Sequence, residues 1–343
     1  MLKYKIIHIM PQDKFIEPFI NFMEYNFDMK EHLFLVIDYK NNYHISQKEN
    51  VILISSLFLS KFKVDYDYSQ KIILHGLFRF VPIFLFFNSS LLKKIFWIIW
   101  GHDLYSYKNA NKNLYTKVYE YIRKKVITKI PNYVVYMKNE FELMKKVYNT
   151  DGKHFRSFVY LSNLYEENEV VKKDSSCLTL MVGNSASKTN CHKEIFDILK
   201  KYKNENIKVI VPLSYSGSKE YVDDIVKTGT QLFQDKFIPI LDYMEYEKYK
   251  ELLSSVDMAL FNHNRQEGIG NTNLLISYGV KIYLRHGTSQ YNFYNSEDIK
   301  VFDINDFDLT RLSEEDKEKN QRILKKLFSK ESLKEQLKDI YDT

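Results

Sequence analysis

Cysteine is almost absent: Cys177 and Cys191 are the only two in 343 residues. That is too few for a disulfide framework and offers no metal-ligand spacing, so a reducing compartment is expected. A long apolar run is also missing. The most hydrophobic stretch, FRFVPIFLFFNSSLLKKIFWIIW from Phe78 to Trp100, is broken by Asn88, Ser89, Ser90, Lys93 and Lys94. A spanning helix needs about 20 nearly uninterrupted apolar residues, which excludes a transmembrane reading. The start, MLKYKIIHIMPQD, has neither an extended apolar region nor a small-residue cleavage site. It reads as a first strand and not as a signal peptide, and a chain on the cytoplasmic side is expected. No recognised nucleic-acid motif accompanies the basic residues, so nucleic acid is not expected as a partner. There is no short-period repeat and no low-complexity tract. Alanine is scarce beside 27 Tyr and 24 Phe, a bias from which no function is drawn.

What is present is a globular composition, 45% hydrophobic and 27% charged, on a chain long enough for two domains. The net charge of +6 is unevenly placed. From Leu77 to Lys129 ten basic residues stand against Asp103 and Glu120, which leaves the rest of the chain slightly acidic. With the apolar runs of Phe78 to Trp100, this points to an interfacial segment on an anionic membrane. The alternative is a buried helix followed by a buried strand.

In the first half, short apolar runs (YKIIHI, LFLVI, VILI, KIILHG, FWIIWG, YVVYM) alternate with polar helical stretches. Such alternation implies parallel strands joined by crossover helices. It collapses at YEENEVVKKDSS, Tyr165 to Ser176, the best linker candidate. A strand at Leu178 to Val182 then opens a second series. Helical spacing resumes near His192, with Ile195, Ile198 and Leu199 on one face. IKVIVPLSY and a helix near Glu220 to Lys227 follow, then FIPILDYM and a helix near Tyr246 to Ser254. The expected fold is α/β and GT-B-like, two Rossmann-like domains facing a cleft, with ligands at the carboxyl ends of the strands. The expected boundaries are 1–170, 177–310 and a helical tail over 311–343.

The most informative stretch is FNHNRQEGIGNTNLLISYGVKIYLRHG, Phe261 to Gly287. A strand enters a polar loop, Asn262 to Glu267, and two glycines precede a helix and a second strand. Gly268 and Gly270 let backbone N–H groups approach a diphosphate, the helix start adds its dipole, and Arg265 adds a fixed charge. A plain strand–turn–helix is the bland alternative, because G-x-G alone is weak. The element Glu267-Gly268-Ile269-Gly270 resembles the E-G-x-G of two-Rossmann retaining glycosyltransferases.

Four stretches narrow that likeness: Trp100-Gly101-His102-Asp103-Leu104-Tyr105; Gly183-Asn184-Ser185 with Asn190 and His192; Pro212-Leu213-Ser214-Tyr215; and Asn262 through Arg265 and Gln266 to Gly270. In order and spacing they resemble glycosyltransferase family 56, which moves 4-acetamido-4,6-dideoxygalactose (Fuc4NAc) from its dTDP donor to a lipid-linked disaccharide in enterobacterial common antigen synthesis. The resemblance implies a peripheral enzyme at the cytoplasmic face of the inner membrane. Its partners would be a nucleotide-diphospho-sugar, a lipid-linked saccharide and an anionic membrane surface, with neither cofactor nor metal.

Carried residue by residue, the resemblance makes Arg265, Glu267 and Asp103 the catalytic candidates. Donor binding falls to Gly183, Asn184, Ser185, Asn190, His192, Ser214, Tyr215, Asn262, Gln266, Gly268 and Gly270. Gly101 and His102 fall on the acceptor side. Each has a structural alternative: Asn184 or Ser185 as a helix cap, His192 as a core histidine, Tyr215 as packing. Asp103 is expected either as an exposed carboxylate that orients or deprotonates the acceptor, or as a cap of the next helix. Two positions depart from the family pattern. His102 replaces a small residue, and Glu267 replaces an amide with the carboxylate of broader retaining transferases, which loosens the donor identity. Eight residues beyond Glu267, Leu275 stands where related enzymes carry a carboxylate on the ribose hydroxyls. That favours a deoxyribose, unless Leu275 is helix core. A capsule or O-antigen transferase using a UDP- or GDP-sugar, and a non-catalytic nucleotide-sugar-binding membrane scaffold, stay open.

Overall fold

The computed structural model describes residues 1–39, 43–77, 79–109, 113–167 and 176–343. They form two units, Met1–Ser162 with Lys330–Thr343, and Asn163–Ser329. The first holds seven strands: β1 (Ile6–Pro11), β2 (His32–Ile37), β3 (Val51–Ile54), β4 (Lys71–His75), β5 (Ile95–Ile98), β6 (Asn132–Val134) and β7 (Lys153–Phe155). The second holds β8 (Leu178–Val182), β9 (Ile207–Pro212), β10 (Phe237–Ile240), β11 (Met258–Phe261), β12 (Lys281–Leu284) and β13 (Phe302–Asp303).

Every strand pairing in the two sheets is parallel. The orders are β3-β2-β1-β4-β5-β6-β7 and β10-β9-β8-β11-β12-β13. A parallel sheet covered by helices on both faces has no solvent side, so its strands are continuous apolar runs. IIHIMP and HLFLVI are accordingly buried at all six positions. Among the buried clusters, one lies around Ile7, Leu35, Leu74 and Trp97 and another around Val182, Val209, Leu260 and Tyr283.

The apolar runs of the sequence are strands as expected. β7 and β13 escaped notice because KHF and FD are too short and polar to show a pattern. Phe78 to Trp100 divides in two. Val81–Phe87 is a helix with Pro82 in its first turn, and after a 3-10 turn at Ser89–Lys94 the chain enters the buried β5. Phe78 and Lys112 lie outside the described residues, as does the middle of the expected linker, 168–175. The tail expected over 311–343 is not one body. Glu314–Leu327 belongs to the second unit, while Lys330–Asp342 belongs to the first. There Tyr341 packs 4.9 Å from His32, and Gln336 accepts the Phe158 N–H. No helix among the described residues is long and apolar enough to cross a membrane.

Candidate functional site

In the second sheet the chain leaves β8 toward β9 on one side, while β11 lies on its other side. The loops after β8 and β11 therefore part at this point, leaving room at their carboxyl ends. Both turns need glycine. Gly183 has φ +65°, and a Cβ there would sit 2.7 Å from His192 Nε2 and 2.8 Å from Asn190 Oδ1. Gly268 has φ +72°, and its Cβ would sit 2.3 Å from Asn184 Nδ2. So Asn184, on the first loop, reaches the backbone of the second.

Asn190 ties the two loops. Its side chain is fully buried, its Oδ1 accepts the Asn184 N–H at 2.8 Å, and the same oxygen lies 3.0 Å from His263 Nε2. Its Nδ2 donates to Ser185 Oγ at 3.2 Å. Glu267 accepts from the Thr189 hydroxyl through one oxygen and from Arg265 Nη2, 3.2 Å away, through the other. Asn262 Nδ2 donates to Glu194, whose carboxylate also takes Arg285 Nη2 at 2.7 Å, while Arg285 Nε donates to the Asn262 carbonyl. Burial lowers the His192 pKa to about 4 and that of His263 to about 3. Both rings are neutral at pH 7.

Against this background of paired groups, four polar atoms are left over. Asn184 Oδ1, His192 Nε2, His263 Nδ1 and Arg265 Nε are buried without a hydrogen-bond partner. His192 has its other nitrogen 3.0 Å from the Tyr221 hydroxyl, so its Nε2 is directed at the Gly183 turn. Buried polar atoms are nearly always satisfied, and leftovers gathered around two glycine turns mark a place for a polar ligand. The helix Ile269–Ser277 adds to it. Gly268 caps that helix without a side chain, and first-turn N–H groups have no partner within a helix. With Arg265 beside them, they favour an anion. Among the described residues, no group of three or more His, Cys, Asp or Glu is placed to hold a metal.

The structure thus gathers Gly183, Asn184, Ser185, Asn190, His192, Arg265, Glu267 and Gly268 at one sheet end. Ser214 and Tyr215 have exposed side chains, and Tyr215 joins through its backbone: the Ala186 N–H donates to its carbonyl at 2.8 Å, and Gly217 packs on Ala186. Asn262 is turned to Glu194 as a brace. Gln266 is half-buried beside Arg265, and Gly270 lies in the first helical turn. Thr189, Glu194, His263 and Arg285 were missed. His263 stood inside the stretch that drew attention, but nothing in the sequence pairs it with Asn190.

The first unit corrects one expectation. Asp103 is not an exposed carboxylate, nor does it cap a helix. It sits fully buried inside the short helix Gly101–Leu104, where Oδ2 accepts the Leu77 N–H at 2.7 Å and Trp97 Nε1–H at 2.9 Å. Burial raises its pKa to about 6, against the opposing pull of Arg123, whose Nη2 donates to the Asp103 carbonyl. The turn after Trp100 rolls the third helical residue inward, so its neighbour His102 is the exposed one. In the second unit Leu275 is fully buried, the helix-core alternative of the sequence.

Two doubly wound sheets in one chain define the GT-B class of glycosyltransferase fold, and solved structures agree. The N-terminal domain of Candida albicans trehalose-6-phosphate phosphatase superposes with TM-score 0.66 over 99% of this chain and 96% of that one, at 8% identity. Anabaena HepE in complex with UDP-glucose gives TM-score 0.64 over 98% and 99%, at 11% identity. An E. coli trehalose-6-phosphate structure bound with UDP-2-fluoro glucose gives 0.63 over 98% of each chain, at 9% identity. At such identities the likeness speaks for the fold. The family model described as 4-alpha-L-fucosyltransferase glycosyl transferase group 56 matches residues 38–330. The chain belongs to that family, and it is a glycosyltransferase.

Proposed function

We propose that the protein is a retaining transferase that moves a deoxyamino sugar of the Fuc4NAc kind from a dTDP donor to a lipid-linked saccharide. It would act as a peripheral enzyme at the cytoplasmic face of the inner membrane. The observation that carries this reading is the set of four unpartnered buried atoms, Asn184 Oδ1, His192 Nε2, His263 Nδ1 and Arg265 Nε, around two glycine turns at a helix start. A diphosphate supplies acceptor oxygens for Arg265 and the helix N–H groups, and a donor sugar supplies hydroxyls for Asn184. The nucleotide-sugars bound by HepE and by the E. coli protein are ligands of the same general kind. Family membership favours the deoxyamino sugar and the dTDP carrier.

In this reading Arg265, the Gly268 and Gly270 backbone and the loop from Gly183 to Ser185 stabilise charge as the diphosphate departs, the largest contribution by the protein. Glu267 holds Arg265 in place and lies where it can meet the donor sugar. With Asp103 buried, the acceptor proton goes to the leaving diphosphate itself. Gly101 and the exposed His102 serve acceptor recognition. Ser214, Tyr215 and Gln266 line the rim.

The test is a thermal-shift panel of dTDP, UDP, GDP and ADP on the whole chain. A ligand at 100 times its Kd stabilises by about 2.7 kcal/mol, and dTDP is expected to give the largest shift. A larger shift with UDP or GDP moves the enzyme to another donor. No shift with any of the four rejects the site.

A further inference from the structure

The first unit carries an apolar surface that its core does not require. Three helices, Leu57–Ser60, Val81–Phe87 and Leu114–Ile127, lie side by side. The Phe58 and Phe84 rings meet edge to face at 5.4 Å, and Lys61 Nζ donates to Asn88 Oδ1 at 2.6 Å. Inward, Leu57, Phe84, Leu85 and Val126 enter the core. Outward, Phe62 is 82% exposed, Phe87 71%, Leu114 77% and Tyr115 71%. On the longest helix Leu114, Val118, Tyr121 and Lys125 share one face by their spacing, and all four are exposed. A surface helix normally puts its apolar stripe inward and charges outward. This one has apolar residues on both sides.

The exposed charge of the three helices is basic. Lys61, at the end of the first, and Lys117, Lys124 and Lys125 are exposed. The one carboxylate within the three helices, Glu120, is taken by Arg123 at 3.0 Å and by the Tyr148 hydroxyl at 2.8 Å. We propose that this three-helix face docks on an anionic lipid bilayer. The aromatic and aliphatic side chains enter the headgroup boundary, and the lysines meet lipid phosphates. A second copy of the same face would set lysine against lysine, whereas an anionic surface satisfies both the apolar residues and the charge. The inference deepens the peripheral-membrane part of the proposed function and does not depend on the nucleotide.

The test is co-sedimentation of the whole chain with phosphatidylglycerol-containing vesicles and with pure phosphatidylcholine vesicles. The wild type is expected to bind the anionic vesicles and to release as salt is raised. A Phe62→Ser, Phe87→Ser, Leu114→Ser variant and a Lys117→Gln, Lys124→Gln, Lys125→Gln variant should each lose about tenfold or more in binding. Tyr243→Ser, which removes an equally exposed aromatic of the second unit, should change nothing. Undiminished binding by both triple variants overturns the proposal, although another face would then hold the enzyme on the membrane. Wild-type binding that is equal on neutral vesicles, or absent on both, overturns it as well. Loss of a dimer in the apolar variant with vesicle binding intact makes the face a self-interface and also overturns it. A flat nucleotide panel with vesicle binding lost in the variants removes the donor assignment and upholds the docking face.

Discussion

Both units bury polar side chains against parallel sheets and both leave some atoms unpaired, but the first also closes two networks on themselves, whereas the second gathers its unpaired atoms around two glycine turns. In the first, His8 on β1 lies between His75 on β4 and His32 on β2, with ring nitrogens 3.1 and 3.0 Å apart, and His75 Nδ1 lies 2.7 Å from the Tyr160 hydroxyl. Burial holds His32 at about 4 and His75 at about 3, with His8 also well below its ordinary value. Three neutral rings and a tyrosine share hydrogen bonds that run across neighbouring strands. Arg123 likewise spends its guanidinium on Glu120, Tyr148 and the carbonyls of Leu77 and Asp103. In the second unit Asn184, His192, His263 and Arg265 keep an unused atom each. A closed network braces a fold, and an open one waits for a partner.

Breaking a closed network should cost stability most. Arg123→Leu is expected to destabilise the chain by about 3–5 kcal/mol, because Glu120 and two carbonyls lose a buried cation. Urea unfolding measures this, and a change below about 1 kcal/mol would show that the network is ornamental.

Breaking the open network should cost function instead. Arg265→Ala is expected to lose about 2–4 kcal/mol in kcat/KM, while its melting temperature stays close to that of the wild type. A variant that melts early with near-normal turnover would reverse the assignment of the two networks.

Gly268→Ala lies between these extremes. It places a Cβ against Asn184 at a positive φ, a backbone penalty of about 1–2 kcal/mol, and should weaken nucleotide affinity more than stability. Calorimetric titration beside a melt separates the two.

The last break depends on pH. Glu140 in the first unit is buried with one oxygen unpaired, yet burial, aided by Asp103, raises its pKa to about 8, so it is neutral at pH 7. The folded state keeps a proton that the unfolded chain releases above its ordinary value of 4.5. Its contribution to stability is therefore complete below that value and fades as pH rises through about 8. Glu140→Gln should be nearly neutral at about pH 5 and relatively stabilising at about pH 8. Urea midpoints at both values check the sign, and a variant that is weaker at the higher pH refutes it.

The fold was largely legible because a doubly wound sheet writes itself locally, as apolar runs such as VILI and KIILHG parted by helical stretches. The glycine loop was legible for a similar reason, since Gly268 answers a local need for positive φ before a helix. Asp103 was expected in solvent and is buried, because adjacent residues of one turn differ only in which way the helix rolls onto the core. The tail from residue 311 looked uniform for lack of any local sign that its last helix returns to the first unit.

The sequence by itself determined the parallel strands, the turns that only glycine can make and the arginine that precedes a helix start. These depend on backbone sterics and on the spacing of neighbours. Only the tertiary structure decided which polar atoms are spent and which are spare. Asn190 meets His263 from 73 residues away, and Asn184 meets the Gly268 turn from the far side of a strand pair. Hydrogen-bond satisfaction is a property of whatever the fold brings within about 3 Å, and nothing in the local sequence fixes that.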